Sequence, residues 1–460
     1  MRTSSRGFTR QRTTVSTVLG LLLVAVAATP AHADSVRSMQ WHLDAMKAEQ
    51  MWATSRGQGV TVAVIDSGVD PSNPDLEGQV LTGKDLAPEA SGDEHTDYNG
   101  HGTSMAGLIA GTGQRDGGNG AYGLAPGAKI LPIRLPKSGV GSSQAAEDEA
   151  FNQDAPEAIR FAVDHDAKVI NISLGAEAGS QQLTDAVKYA LDEGSLIFAA
   201  AGNSGDGANL VEYPAGTPGV VGVGAIGRDL KKTDESQFGP QVDLSAPGID
   251  MVHTCTGGTQ LCKTSGTSDA TAIASASAAL IWSKHPDWTN NQVLRVLLNT
   301  AGGPTSGAER NDYVGYGVVR PRIALKTPGD PGPAGEYPLP DLAADESAQR
   351  STKPSQATGS SEGDDKPATA APAAGTDSNT GLWIGLGIGA AALISAAVTA
   401  LAIRSSRRKA AAAPPAYTHQ PSYPYPSQHQ AAPSAFGPPP AAPPGSNSPL
   451  EGPSYGERPS

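Results

Sequence analysis

The sequence predicts a single α/β domain, three layers deep, built on a mostly parallel sheet. Two observations carry that prediction. Short, continuously apolar runs alternate with helical patterns from about residue 57 to residue 325, and strands apolar on both faces belong to parallel sheets covered on both sides. After about residue 327, proline, alanine, serine and glycine replace the large apolar side chains. Such a stretch cannot bury enough surface to offset the entropy of ordering it. One core of roughly 290 residues is within the size that a single domain supports.

The elements follow in order. Residues 1–33 carry Arg2, Arg6, Arg10 and Arg12, then an apolar run over residues 15–28, then Ala31-His32-Ala33. Charge, apolar run and small-x-small site together predict a signal peptide cleaved before Asp34, with a bare transmembrane anchor as the alternative. Within the domain, residues 34–326, the expected strands are Val60-Thr61-Val62-Ala63-Val64-Ile65, Lys168-Val169-Ile170-Asn171-Ile172-Ser173, Ser195-Leu196-Ile197-Phe198-Ala199-Ala200-Ala201 and residues 219–225. Helical patterns lie at residues 156–164 and 183–193. Residues 327–380 read as a solvated, extended spacer rich in Pro, Ala, Ser and acidic residues. Residues 381–403 are expected to form one transmembrane helix, an uncharged apolar stretch of about 22 residues being long enough to span a bilayer. Arg404, Arg407, Arg408 and Lys409 follow it, which places that end in the cytoplasm and the domain outside the cell membrane. Residues 404–460, with Pro438-Pro439-Pro440 and repeated Tyr-Pro, read as a disordered cytoplasmic tail.

A net charge of −13 argues against nucleic acid as a partner, because phosphate binding needs a basic face. Cys255 and Cys262 are the two cysteines. In an oxidising compartment two nearby cysteines usually pair; a free pair or half of a metal site are the alternatives. A disulfide here would staple a hairpin leading into residues 264–270 and, by closing so short a loop, stabilise by roughly 2–3 kcal/mol. No cluster of Cys and His supports a metal, and no cofactor is expected.

Hydrolysis by a serine needs a base to take its proton, a group to orient that base, and donors for the developing oxyanion. Asp66 ends the first apolar strand and is followed by Ser67-Gly68, a carboxylate at a strand tip with a tight exit; taken alone, it also fits a helix cap. His101 lies in Asn99-Gly100-His101-Gly102-Thr103, and of the nine histidines it alone has glycine on both sides. His95 and His165 sit among acidic residues and read as surface positions. Ser268 lies in Ser265-Gly266-Thr267-Ser268-Asp269 at the start of a run of Ala, Ser and Thr. A helix N-terminus there supplies amide donors and a positive potential. Ser104 in Gly102-Thr103-Ser104 shares the pattern, but three residues from His101 on one helix it cannot face that imidazole. Asn203, after Ala199-Ala200-Ala201-Gly202, offers a side-chain amide for an oxyanion and also fits an ordinary turn.

These blocks, in the order Asp, His, Asn, Ser, resemble the subtilisin-like serine peptidases. Asn171-Ile172-Ser173-Leu174-Gly175, Ser245-Ala246-Pro247-Gly248 and Tyr313-Val314-Gly315-Tyr316-Gly317 extend the resemblance over residues 40–325. Signal peptide, peptidase domain, Pro-rich linker, single span and basic flank are together most similar to the mycosins, membrane-anchored peptidases associated with type VII secretion. The resemblance implies that Asp66 orients His101, that His101 is base and then acid, and that Ser268 forms the acyl-enzyme. Asn203 and the Ser268 amide would hold the oxyanion. Ser173, Leu174 and Gly175, with Ala200 and Gly202, would line the substrate backbone and its pocket. The expected partners are protein or peptide substrates, the membrane, and a type VII secretion complex.

The chain departs from the family's pattern in three places. Ala272 stands where many members carry proline. About 25 residues separate the expected cleavage site from the first strand, too few for a folding prodomain of the usual size, so autocatalytic activation is not expected. Glu212, before Tyr213-Pro214, aligns with a pocket-floor position that is often glycine. With Glu147, Asp148 and Glu149 near the cleft, it would favour lysine or arginine there. The rival function is a scaffold that keeps the peptidase shell and works by binding a membrane secretion complex. Scaffolds of that kind usually lose a catalytic residue, and here none is missing.

Overall fold

The run of residues 60–65 forms strand β1 (Thr61–Asp66), near the middle of a seven-stranded sheet. The computed structural model describes residues 35–136 and 143–352. The expected signal peptide, transmembrane helix and tail lie outside the described residues; among the described ones, no helix is long and apolar enough to cross a membrane. After β1 come β2 (Lys84–Asp85), β3 (Lys129–Arg134), β4 (Val169–Ile172), β5 (Leu196–Ala200), β6 (Val221–Ile226) and β7 (Leu244–Pro247). Their spatial order is β2-β3-β1-β4-β5-β6-β7 and every pairing is parallel. The chain therefore builds outward from β1 in one direction and then in the other. In such sheets the crevice beyond the carboxyl ends of the strands, where the order reverses, is where ligands bind.

The strands are apolar throughout because both faces are covered. Val62, Val64, Val169, Phe198 and Val223 face one core. Ala63, Ile65, Ile170, Ile172, Ile197 and Ala199 face the other. The first core is closed by α1 (His101–Ala110), α4 (Thr267–Lys284), α5 (Asn290–Thr300) and α6 (Pro321–Lys326). The second is closed by α2 (Gln144–Asp164) and α3 (Gln181–Asp192). Helix α4 is buried at every position from Asp269 to Trp282, which its Ala, Ser and Thr residues permit by letting neighbouring backbone approach. An antiparallel hairpin, β8 (Met251–Thr254) and β9 (Leu261–Thr264), leads into α4. The Cys255–Cys262 disulfide is formed at its turn end.

Two segments differ from expectation. Helix α2 starts twelve residues before Pro156, at Gln144, with the Ser143 hydroxyl accepting from the Ala146 amide (3.3 Å). Proline favours a helix start, and here it sits within one. The segment after residue 327, expected as a solvated spacer, is docked as far as α7 (Pro340–Thr352). The Arg295 guanidinium donates to the carbonyls of Pro331 (2.8 Å), Pro333 (3.0 Å) and Glu336 (2.6 Å). The Tyr337 hydroxyl donates to the Gly219 carbonyl (2.9 Å), the Gly219 amide donates to Asp341 (2.7 Å), and Leu339 is buried. A proline-rich strand is poor in backbone donors, so its carbonyls need a cation, and Arg295 supplies it. At the other end, residues 36–52 form three short helices; Gln40 bridges Tyr122 and Val252, and the Trp41 indole donates to the Ile249 carbonyl (2.8 Å).

Candidate active site

Strand β1 ends in Asp66, which is fully buried. One carboxylate oxygen accepts from the Ser67 amide (2.8 Å) and lies 2.8 Å from His101 Nδ1; the other lies 3.0 Å from the same nitrogen. Two glycines allow this contact. Any Cβ on Gly102 would stand 2.1 Å from the Gly68 carbonyl oxygen and 3.1 Å from the Asp66 Cβ. Gly68 itself has φ of +105° and would meet the Thr96 carbonyl oxygen at 2.5 Å. Glycine at both positions lets α1 lie against the tip of β1, so its first residue, His101, reaches the carboxylate. Arg134, the register neighbour of Asp66, does not compete, because its guanidinium is held by both oxygens of Asp85 (2.8 Å each).

A carboxylate on Nδ1 fixes the tautomer: Nδ1 carries the proton and Nε2 is left with its lone pair. Burial opposes the charged imidazolium. The charge of Asp66 and its hydrogen bond, with Asp269 and Asp97, outweigh that and raise His101 to about 9. Ser268 is the second residue of α4, half-buried, and its hydroxyl donates to the Ser173 carbonyl (3.2 Å). It makes no hydrogen bond to His101 in this arrangement, and such bonds often tighten only when substrate is present.

Asn203 follows β5. Its Oδ1 accepts from the Thr267 amide (2.8 Å) and the Thr267 hydroxyl (3.1 Å). With Oδ1 so committed, the end of the amide left for another group is the donor, Nδ2. The Ser268 amide, in the first turn of α4, has no acceptor within the helix. Two donors thus flank Ser268, as an oxyanion requires.

Ser173-Leu174-Gly175 extends β4 and Ala200 to Gly202 extends β5. A half-buried Glu212 lies between them. A Cβ on Gly175 would be 3.1 Å from one of its carboxylate oxygens and a Cβ on Gly202 2.5 Å from the other. The Gln237 amide donates to Glu212 (2.7 Å). Burial raises the Glu212 pKa, the Gln237 bond opposes this, and Glu177 adds to the rise. Leu174 also lines an apolar groove of about 800 Å³ with Leu86, Leu135, Phe151 and Glu147. The three acidic residues expected near the cleft therefore separate. Glu147 borders the groove, whereas Asp148 is buried and accepts from Gln144 (2.9 Å) and the Glu177 amide (2.9 Å). Glu149 faces another depression, with Pro156 and Arg160. Successive residues of a helix point 100° apart, so three in a row cannot share one cleft.

A second buried array lies next to the start of α4, and no motif in the sequence marks it. The Thr264 hydroxyl lies 2.8 and 2.9 Å from the Asp269 carboxyl oxygens and 2.7 Å from His253 Nε2. His253 Nδ1 lies 2.8 Å from the Thr254 carbonyl, so Nδ1 carries a proton and, in the neutral ring, Nε2 accepts. Thr264 has one hydrogen for two acceptors. With Asp269 ionised and His253 neutral one contact would lack a hydrogen, so the array holds one further proton, on Asp269 or on His253 Nε2. Burial raises Asp269 to about 6, against the Thr264 bond and His101, and lowers His253 to about 4. The available signal was an acid inside a run of small apolar residues. Thr267 and Gln237, which hold Asn203 and Glu212, were likewise not singled out.

The subtilase family profile matches residues 57–317. A thermophilic serine proteinase of Bacillus sp. (strain AK1) is 35% identical over 270 residues, 58% of this chain and 62% of the relative. Subtilisin E of Bacillus subtilis (strain 168) is 36% identical over 272 residues, 59% of this chain and 66% of the relative. The chain thus spans less than two thirds of the length of these relatives. Among solved structures, MycP1 from Mycobacterium smegmatis is similar with a TM-score of 0.56 at 28% identity, over 65% of this chain and 87% of that one. MycP3 protease from the type VII (ESX-3) secretion system gives a TM-score of 0.54 at 33% identity, over 62% and 87%.

Proposed function

Because the chain belongs to the subtilase family and carries its serine endopeptidase domain, we propose that it hydrolyses protein or peptide substrates with Asp66, His101 and Ser268 as a catalytic triad. The observation that carries this reading is the buried Asp66 carboxylate seated on His101 Nδ1 at 2.8 Å, opposite a helix start that presents Ser268 beside the Asn203 amide. His101 Nε2 takes the Ser268 proton as Oγ attacks the scissile carbonyl. The oxyanion that forms accepts from Asn203 Nδ2 and the Ser268 amide. Its collapse breaks the C–N bond, and His101 returns the proton to the leaving amine. Water, deprotonated by the same imidazole, then hydrolyses the acyl-enzyme. Ser173 to Gly175 carry the substrate backbone, and the groove beyond Leu174 takes side chains before the scissile bond.

The likeness to MycP1 and MycP3 and the order of segments in the sequence support a finer proposal. The domain lies outside the cell membrane, residues 381–403 anchor it, and it works alongside a type VII secretion complex. The test of the chemistry uses the full chain beside its Ser268→Ala variant, each given a fluorophosphonate probe and a peptide library. Labelling and cleavage by the parent alone are expected. A folded parent that neither labels nor cleaves would replace this reading with that of a scaffold.

A further inference from the structure

The slot between the two strand extensions has an unusual floor. Gly175 and Gly202 leave its walls without side chains, and the carboxylate of Glu212 fills the space that their Cβ atoms would enter. The segments are tied behind it: the Ala176 amide donates to the Tyr213 carbonyl (2.9 Å) and the Tyr213 amide to the Ala176 carbonyl (2.8 Å). Glu212 is thereby fixed one residue from a backbone ladder and does not swing into solvent as a surface glutamate does. Its hydrogen bond comes from a neutral amide, Gln237. Among the described residues no lysine or arginine bridges it. The charged group that acts on it, Glu177, has the same sign. A half-buried carboxylate with a second acid nearby and no cation is a site short of one positive charge.

The reacting end of this slot is fixed by the Ser268 hydroxyl, which bonds the Ser173 carbonyl. Gly175, against Glu212, is two residues further along the chain, and two residues span at most about 7 Å. An extended lysine or arginine covers that distance and ends with its charge at the carboxylate.

We propose that this slot binds the cationic side chain of the substrate residue that supplies the scissile carbonyl, with Glu212 as its counter-ion. The inference rests on the peptidase reading and adds the substrate class: chains cut after lysine or arginine. Ion pairing supplies selectivity because the uncharged analogue leaves the half-buried carboxylate without a counter-charge.

The experiment compares matched peptide amides that differ at that one residue: lysine, its uncharged isostere norleucine, and glutamate. The full chain and its Glu212→Gln variant are assayed, each first titrated with the fluorophosphonate probe. The expected kcat/KM ratio of lysine to norleucine is about 10- to 100-fold in the parent, the range of one charge-assisted hydrogen bond, and Glu212→Gln brings it towards one. Glu177→Gln, which removes the neighbouring acid, keeps the parent's preference. Equal rates on lysine and norleucine peptides by an enzyme that still takes the probe would overturn the proposal and leave the triad standing. A parent that takes no probe would overturn the peptidase reading and this proposal with it. Should Glu212→Gln fail to fold, the parent's lysine-to-norleucine ratio decides the matter unaided.

Discussion

Asn203→Ala should separate two roles that one side chain performs. The lost Nδ2 donor no longer meets the oxyanion, a deficit of about 2.7–4 kcal/mol in the barrier, or a 10²- to 10³-fold fall in kcat. The lost Oδ1 acceptor releases the Thr267 amide and hydroxyl, held at 2.8 and 3.1 Å. Asn203 is solvent-exposed, so water takes over that part, and the cost to stability is about 0.5–1.5 kcal/mol. Asn203→Asp splits the pair: it keeps the acceptor for Thr267, removes the donor and sets a negative charge against the oxyanion. Its melting temperature should stay near the parent's while its kcat falls at least as far as the alanine variant's. KM should change little in either, since the bond forms only as the oxyanion develops. Steady-state kinetics on one peptide amide, with thermal unfolding of the same samples, decides the matter. A kcat within about tenfold of the parent for the aspartate variant would refute the assignment of Nδ2 to the oxyanion.

Three further outcomes follow from other contacts. His101 is raised by Asp66 despite burial, so imidazolium persists to higher pH than in a free histidine; kcat/KM should rise with pH through a limb above 6.5. By the same sign, the folding stability contributed by this pair is full below 6.5 and fades as pH climbs through about 9. A limb at or below 6.5 contradicts the coupling. Asp269→Asn supplies Thr264 with a donor and should melt close to the parent, whereas Asp269→Ala removes the partner altogether and should cost about 1–3 kcal/mol; equal losses would place the array's extra proton on His253. Ending the chain at Lys326 strips Leu339, Tyr337 and the carbonyls held by Arg295, and burial of the leucine alone is worth about 1.5–3 kcal/mol. A chain ended at Thr352 should therefore melt clearly higher, and equal melting temperatures would show the docked strap to be idle.

Strands β1, β4, β5 and β6 were legible because both their faces are buried, so they appear as unbroken apolar runs. Strand β3, Lys-Ile-Leu-Pro-Ile-Arg, is broken by Pro132 and bounded by charge, and β7 contains a serine and a proline; neither carries that signature. Asp66, His101, Asn203 and Ser268 stood out as polar residues at strand tips and helix starts among glycines. What closes round them was hidden. The pairings Thr267 with Asn203 and Gln237 with Glu212 join residues 64 and 25 apart along the chain, Thr264 meets His253 across a hairpin, and nothing local marks them. Composition likewise misjudged residues 327–341, because what fastens them is one arginine on α5 binding their backbone and not their own side chains.

The order in which the pieces occur along the chain gives the site a chronology. Asp66 and His101 belong to the first third of the domain, but Ser268 rides on α4, whose buried face covers the sheet centred on β1. Synthesis delivers the N-terminal elements first, while a domain folds as a unit. A nascent chain that has emerged as far as β7 holds Asp66 and His101 but not Ser268, and the face of its sheet that α1 covers in part still lacks α4, α5 and α6. On the proposed triad, the nucleophile joins the acid and base only when α4 has docked and the fold is nearly complete.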